Sequence, residues 1–282
     1  MAGDQGTFFC GTELAARIER VEAELISKGG GAAAARLGAT AGFVIPVAGG
    51  VAAFAEEGSP LNKVAGLGFA GVPMVAELEQ IEQLFAERKT AVQAEVSQLG
   101  DPGVGELLTE RGYRLVSFEN VLGIELGGER AAVVADGVDV QHSGEGEFDA
   151  WLDVVADGFA HPDTQGVASH EEFPPEIIAN AMRDLIGAAG VQRYLARRDG
   201  AVAGGASMRM SQGVAQLTGA ATDPAHRRHG VQSSLLSVRL AEATAAGCDI
   251  AVVTTQPGSK SQQNVQRQGF ALLYTRAILV KG

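Results

Sequence analysis

One order of elements runs twice through this chain, and that repetition limits the fold more than any single motif does. In the first half, apolar residues recur at helical spacing over 11–28, with Leu14, Ile18, Val21 and Leu25 on one face. Strand-like runs follow at Phe43–Val47, Val51–Ala55 and Lys63–Gly68. A helical pattern covers Met74–Arg88, a strand starts at Ala91, a short helix lies near Val104–Glu110, and "YRLVSFENVLGIEL" closes the half. After Gly127–Gly128, which reads as a linker, the pattern returns. A strand at Val138–Gln141 leads into helices at Phe148–Phe159 and Pro175–Ile186. Strands follow at Val191–Ala196, Ala201–Met210 and Val214–Thr222, then a helix from Val231 to about Ala246. The strand "CDIAVVTT", a short helix over 259–268 and a terminal strand pair in "FALLYTRAILV" complete the half. "ERGYRLVSF" and "RQGFALLYT" occupy the same place in the two halves and read as copies of one helix exit. The expectation is an α+β protein of two tandem domains, residues 1–128 and 129–282. Each would be a mixed, mostly antiparallel sheet flanked by helices.

The balance of 34 acidic residues against 22 Lys plus Arg, a net charge of −12, argues against a nucleic-acid partner and against an anionic membrane surface. Cys10 and Cys248 form no CxxC pair, so a reducing, cytoplasmic setting is expected. The histidines show no metal-ligand spacing. The stretch from Leu37 to Ala55 lacks charge and is long enough for a membrane helix. Pro46 and Gly49–Gly50 break it, so it reads as two buried strands around a turn.

Against this acidic background, "AHRRHGVQSSLL" places Arg227, Arg228 and His229 before Gly230, where a helix begins. A helix start offers unpaired N–H groups and a positive dipole end, and glycine allows close approach to the backbone. With two arginines added, these parts form a cradle for phosphate or pyrophosphate.

The segment "RRHGVQ" resembles the R/Q-x-x-G-x-G/A signature of the GNAT superfamily of acyl-CoA-dependent N-acetyltransferases, with Arg227 and Gly230 matching. The flanks are similar too: "LTGAAT" before it, Pro224, a long helix after it, then "GCDIAVVTT", a short helix and Gly269–Phe270. The resemblance covers roughly 137 to 282. It implies acetyl-CoA as co-substrate and a small-molecule amine as acceptor. The pyrophosphate would be held by Arg227, Arg228, His229, Gly230, Val231, Gln232 and Ser233. The pantetheine arm would lie along Ala220, Ala221 and Thr222, with Asn264 as a further contact. Two positions depart from the family: Gln232 replaces a small residue, and Val265 stands where many members have a tyrosine acid. Asn264, Tyr274 and Glu171 are the remaining candidates for the chemistry. Glu171 lies in "HPDTQGVASHEEF", bracketed by His161 and His170, where His161, Asp163, Glu171 or Glu172 could take a proton from an incoming amine.

A rival signal is "GLGFAG" at 66–71, a G-x-G-x-x-G after a strand, with Glu95 as ribose ligand. It would make the protein a NAD-binding oxidoreductase. The repeat explains it better, as a shortened phosphate loop without arginines in a degenerate first copy. Trp151 and Phe159 are spaced as one core face of a helix. The expected activity is therefore N-acetyl transfer, with a non-catalytic acyl-CoA sensor as the alternative.

Overall fold

The computed structural model describes residues 8–38, 41–160, 165–167 and 173–282. Its first helix, α1 (Thr12–Leu37), runs well past the expected end at residue 28. Glycine in a helix interior costs about 1 kcal/mol relative to alanine, so "KGGG" reads as a stop. Here packing outweighs propensity. Gly29 and Gly30 are buried, and a Cβ on them would press on Leu61 and Leu185 or on Val44 and Ala53.

The charge-free stretch folds as the hairpin β1 (Phe43–Val47) and β2 (Gly50–Phe54), turning on Ala48 and Gly49 at positive φ. Among the described residues no helix is long and apolar enough to cross a membrane. β3 (Lys63–Ala65), α2 (Val75–Glu87), β4 (Val92–Ser97), α3 (Pro102–Glu110) and β5 (Arg114–Glu125) complete the first half. The second half comprises β6 (Val138–His142), α4 (Phe148–Ala160), α5 (Pro175–Ala189), β7 (Gln192–Arg198), β8 (Ala201–Ser211) and β9 (Val214–Thr222). It continues with α6 (Val231–Ala245), β10 (Ile250–Thr255), α7 (Lys260–Arg267) and β11 (Ala271–Lys281). The expected terminal strand pair is therefore one continuous strand, β11.

The two halves share an 11-stranded sheet in the order β1-β2-β3-β4-β11-β5-β10-β9-β8-β7-β6. The closing strands are exchanged: β11 pairs with β4 of the first half, and β5 pairs with β10 of the second. Counted from Gly112–Tyr113 and Gly269–Phe270, Glu119 and Arg276 occupy the same position of the repeat, and they are cross-strand partners. The neighbouring pairs Thr275–Asn120 and Ala277–Phe118 are likewise equivalent. A local two-fold axis thus runs between Glu119 and Arg276. Identical charges there would repel, and the chain carries one of each sign.

α1, α4 and α5 cover one face of the sheet. α2, α3, α6 and α7 cover the other. Beneath α1 lies a network of buried charges that ties the halves together. Glu19 accepts from Tyr274 Oη and Arg276 Nε, both at 2.7 Å. Lys63 pairs with Glu95, and Gln216 Nε2 donates to Glu22 at 2.9 Å. Arg209, 2% exposed, reaches Glu24, Gln216 and the Val21 carbonyl.

Candidate functional site

β9 and β10 run parallel, but their pairing covers only Val214–Gln216 against Ile250–Val252. Beyond that point the strands part. The cause lies on the other edge of β9, where an extra residue, Gly219 at φ +36°, bulges against β8. A bulge strands ladder carbonyls, and three side chains take them up. Trp151 Nε1 donates to Ala206 O at 3.0 Å, Arg239 Nη1 to Ser207 O at 2.9 Å, and Ser207 Oγ to Thr218 O at 2.9 Å. Arg239 is 3% exposed, and burial pushes its pKa down to about 10. None of these three residues carried a sequence signal beyond an apolar or polar position in a helix or strand. Trp151 is fully buried, as its spacing implied, whereas the side chain of Phe159 is outside the described residues.

The parted end of β9, Ala220–Thr222, keeps its β8 partners and leaves its other edge open. α4 lies close over it, because a Cβ on Gly158 would come within 2.3 Å of Ala221 Cβ. Asp223 then accepts from Ala225 N at 2.7 Å and turns the chain into the basic loop. Arg227 is half-buried, while Arg228 and His229 are exposed. Arg228 and Gly230 are left-handed, at φ 67° and 78°. Among the described residues no side chain caps α6, which leaves the N–H groups of Val231, Gln232 and Ser233 for an anion. The linker fixes the outer side of this helix start. Val133 N donates to Ser237 Oγ at 2.8 Å and Ala135 N to Ser234 Oγ at 3.0 Å. A Cβ on Gly230 would sit 2.6 Å from Ala135 Cβ, a second reason for glycine there.

Gln232 turns away from the loop toward α7, where its Oε1 accepts from Asn264 Nδ2 at 2.6 Å. Both line a cavity of about 150 Å³ between α6 and α7, with Ser233, Leu236, Val265, Arg267 and Gln268. The structure thus places the parted strand end before the basic loop and Asn264 beside the helix start that follows it. It does not bring Tyr274 there. Tyr274 is 1% exposed beneath α1, its hydroxyl is bonded to Glu19, and burial raises its pKa well above the usual tyrosine value. As an acid for this cleft it is ruled out by position. Val265 is packed into the core. Glu171, with His161, Asp163, His170 and Glu172, lies outside the described residues.

On the α1 face of the sheet, beside the point where β9 and β10 part, lie carboxylates that sequence reading passed over. Glu22 meets Gln216, the last β9 residue paired to β10. Glu119 lies one residue past Asn120, the partner of Thr255 at the end of β10. Burial, reinforced by Glu95, pushes the pKa of Glu119 up to about 7, and burial also raises that of Glu22.

In the first half the corresponding cleft is shut. Asp101 N donates to Gly68 O at 2.8 Å, so the loop after β3 is bonded to the cap of α3. The glycines of "GLGFAG" serve close packing: a Cβ on Gly66 or Gly68 would press on Gly50 or on Gly100 and Asp101. Val72, Pro73 and Met74 separate the motif from α2, whose start is capped by Glu77, donated to by Met74 N at 2.7 Å. A carboxylate there opposes phosphate. Glu95, the ribose candidate, is 2% exposed and paired to Lys63.

Compared with known families, residues 159–270 match the one described as "Acetyltransferase (GNAT) family". No curated protein matches the chain. Among solved structures, a GCN5-related N-acetyltransferase from Kribbella flavida is similar at 22% identity, covering 95% of both chains, with a TM-score of 0.66. A tandem GNAT protein from the clavulanic acid biosynthesis pathway has 14% identity, covers 85% of this chain and 82% of its own, and gives a TM-score of 0.58. A GCN5-related N-acetyltransferase from Sphaerobacter thermophilus has 14% identity, coverages of 85% and 75%, and a TM-score of 0.56.

Proposed function

We propose that this chain, whose residues 159–270 match the acetyltransferase (GNAT) family and whose fold is similar to those of solved GCN5-related and tandem GNAT proteins, transfers an acetyl group from acetyl-CoA to the amine of a small molecule. The observation that carries this reading is one cleft in which an open strand edge meets an uncapped, arginine-flanked helix start. Residues 129–282 form the catalytic unit. Residues 1–128 form a structural unit that walls the acceptor side through α1 and β5.

The coenzyme supplies an activated acyl thioester. The backbone of Arg228–Ser233, with Arg227 and Arg228, holds its pyrophosphate. The open edge of Ala220–Thr222 hydrogen-bonds its arm as an added strand would. Backbone N–H groups on the open edge of β9 beside the Gly219 bulge polarise the thioester carbonyl, which favours the charge that develops there. Glu119, on the α1 face and with a pKa of about 7, takes the proton from the attacking amine. Glu22 and Glu119 favour an acceptor that arrives as a cation.

Steady-state release of free thiol from acetyl-CoA, followed across a panel of small amines, tests the reading. Amine-dependent thiol release is expected. One observation favours a second reading, an acyl-CoA sensor: Val265, packed into the core, stands where the resemblance would place a protonating tyrosine. Tight binding of acetyl-CoA with no turnover across the panel would establish the sensor and reject the transferase.

A further inference from the structure

The hydroxyl of Thr255 takes no part in the hydrogen bonding of the described residues. Thr255 ends β10 and is 5% exposed, yet its Oγ1 has no hydrogen-bond partner among the described residues. Buried hydroxyls are normally bonded, so the exception calls for a reason. Gln256 Oε1, next along the chain, likewise lacks a partner among the described residues, whereas Asn120, Gln262 and Thr275 across the sheet satisfy one another. Asn120, opposite Thr255, donates from Nδ2 to Gln262 Oε1 at 3.2 Å and accepts from Thr275 Oγ1 at 2.9 Å. Gln262 Oε1 also accepts from Gly258 N at 2.7 Å.

The orientation of Thr255 follows from its strand. Side chains alternate along β10. Val253 packs with the core formed by α6 and α7, so Thr255 shares that face. This is the face on which the basic loop starts α6. Its depth in the cleft follows from the register. The last pair of the parallel strands is Gln216 with Val252. Three residues onward on each strand stand Gly219 and Thr255, so the hydroxyl lies level with the bulge, across the gap from it. A thioester carbonyl held at the bulge points its oxygen to β9, so its sulfur and its methyl lie on the side that faces β10.

We propose that Thr255 is a catalytic residue that donates a hydrogen bond to the thioester sulfur and to the thiolate it becomes. The proposal rests on the acetyl-CoA reading. As the amine nitrogen bonds to the carbonyl carbon, the carbon–sulfur bond breaks and its electron pair stays on sulfur. Thr255 keeps its proton and stabilises that charge. The amine proton leaves through Glu119 to solvent, and the thiolate takes a proton from water. A hydroxyl donor thus covers part of what a protonating side chain at Val265 would do.

The test is the thiol pKa of free CoA bound to the protein, followed by thiolate absorbance during a pH titration. In the native protein it is expected below that of CoA in solution. Thr255→Val raises it by about one to two units, the worth of a hydrogen bond to a charged group. Thr255→Ser keeps it low, which separates the hydroxyl from a packing effect. kcat for acetyl transfer falls about tenfold to a hundredfold in Thr255→Val, while CoA affinity at pH values below the thiol pKa is retained. An unchanged thiol pKa in Thr255→Val, with CoA still bound, overturns the role of Thr255 alone. Failure of the native protein to bind CoA overturns the acetyl-CoA reading and this role with it.

Discussion

Glu119→Gln tests how the buried charge on the two-fold axis is shared between stability and chemistry. Glu119 faces Arg276 at 3.9 Å, but Arg276 is already held by Glu19 and Glu95, and Glu95 and Glu22 lie close to Glu119 as well. Its carboxyl titrates at about 7 in the folded protein, against an ordinary value of 4.5. The folded state therefore holds this proton more tightly than the unfolded chain. Stability from this group is fully present below about pH 4.5 and is lost as pH rises to about 7. At 1.36 kcal/mol per unit, the ionised carboxylate costs about 3 kcal/mol above pH 8. Gln has the shape of the protonated acid and cannot ionise. The variant and the native protein should match at pH 4.5, and the variant should be about 3 kcal/mol more stable at pH 8. Urea unfolding at several pH values between these limits measures the gap. A gap that does not widen with pH, or a variant less stable at pH 8, refutes the reasoning. The same variant should lose about a hundredfold or more in kcat/KM and the rise of rate through pH 7 that a carboxylate base imposes.

Gly230→Asp places a carboxylate at the helix start and a Cβ against Ala135, and should abolish CoA binding by calorimetry. Trp151→Phe leaves the Ala206 carbonyl at the bulge without its donor, and should cost about 1–3 kcal/mol in urea unfolding and raise KM for acetyl-CoA. Gly50→Ala drives a Cβ to within 2.3 Å of the Ala65 carbonyl. It should destabilise the closed first-half cleft by about 1–3 kcal/mol in urea unfolding without changing CoA affinity.

Much of this protein was legible in its residues. The order of elements followed from local periodicity, because each strand and helix must show one apolar face whatever its neighbours are. The basic loop was legible for a related reason: its strand end, turn, arginines and glycine are contiguous from Ala220 to Ser233. The end of α1 was misplaced, because the cost of three glycines is local while the packing of Gly29 and Gly30 is not. Asn264 was singled out, but its bond to Gln232 joins two helices that nothing in the sequence pairs.

Only the tertiary structure decided which strands lie together. β5 and β11 are both long and repeat-related, so the sequence allows either to close its own half. Their exchange is set by pairing across distant segments, and it sets Glu119 one residue beyond the paired end of β10. The same holds for the bulge at Gly219, which depends on Trp151, Ser207 and Arg239 from separate elements, and for Thr255, which is marked only by the partner it lacks. Local chemistry is written along the chain, whereas a site assembled between strands exists only once the sheet has formed.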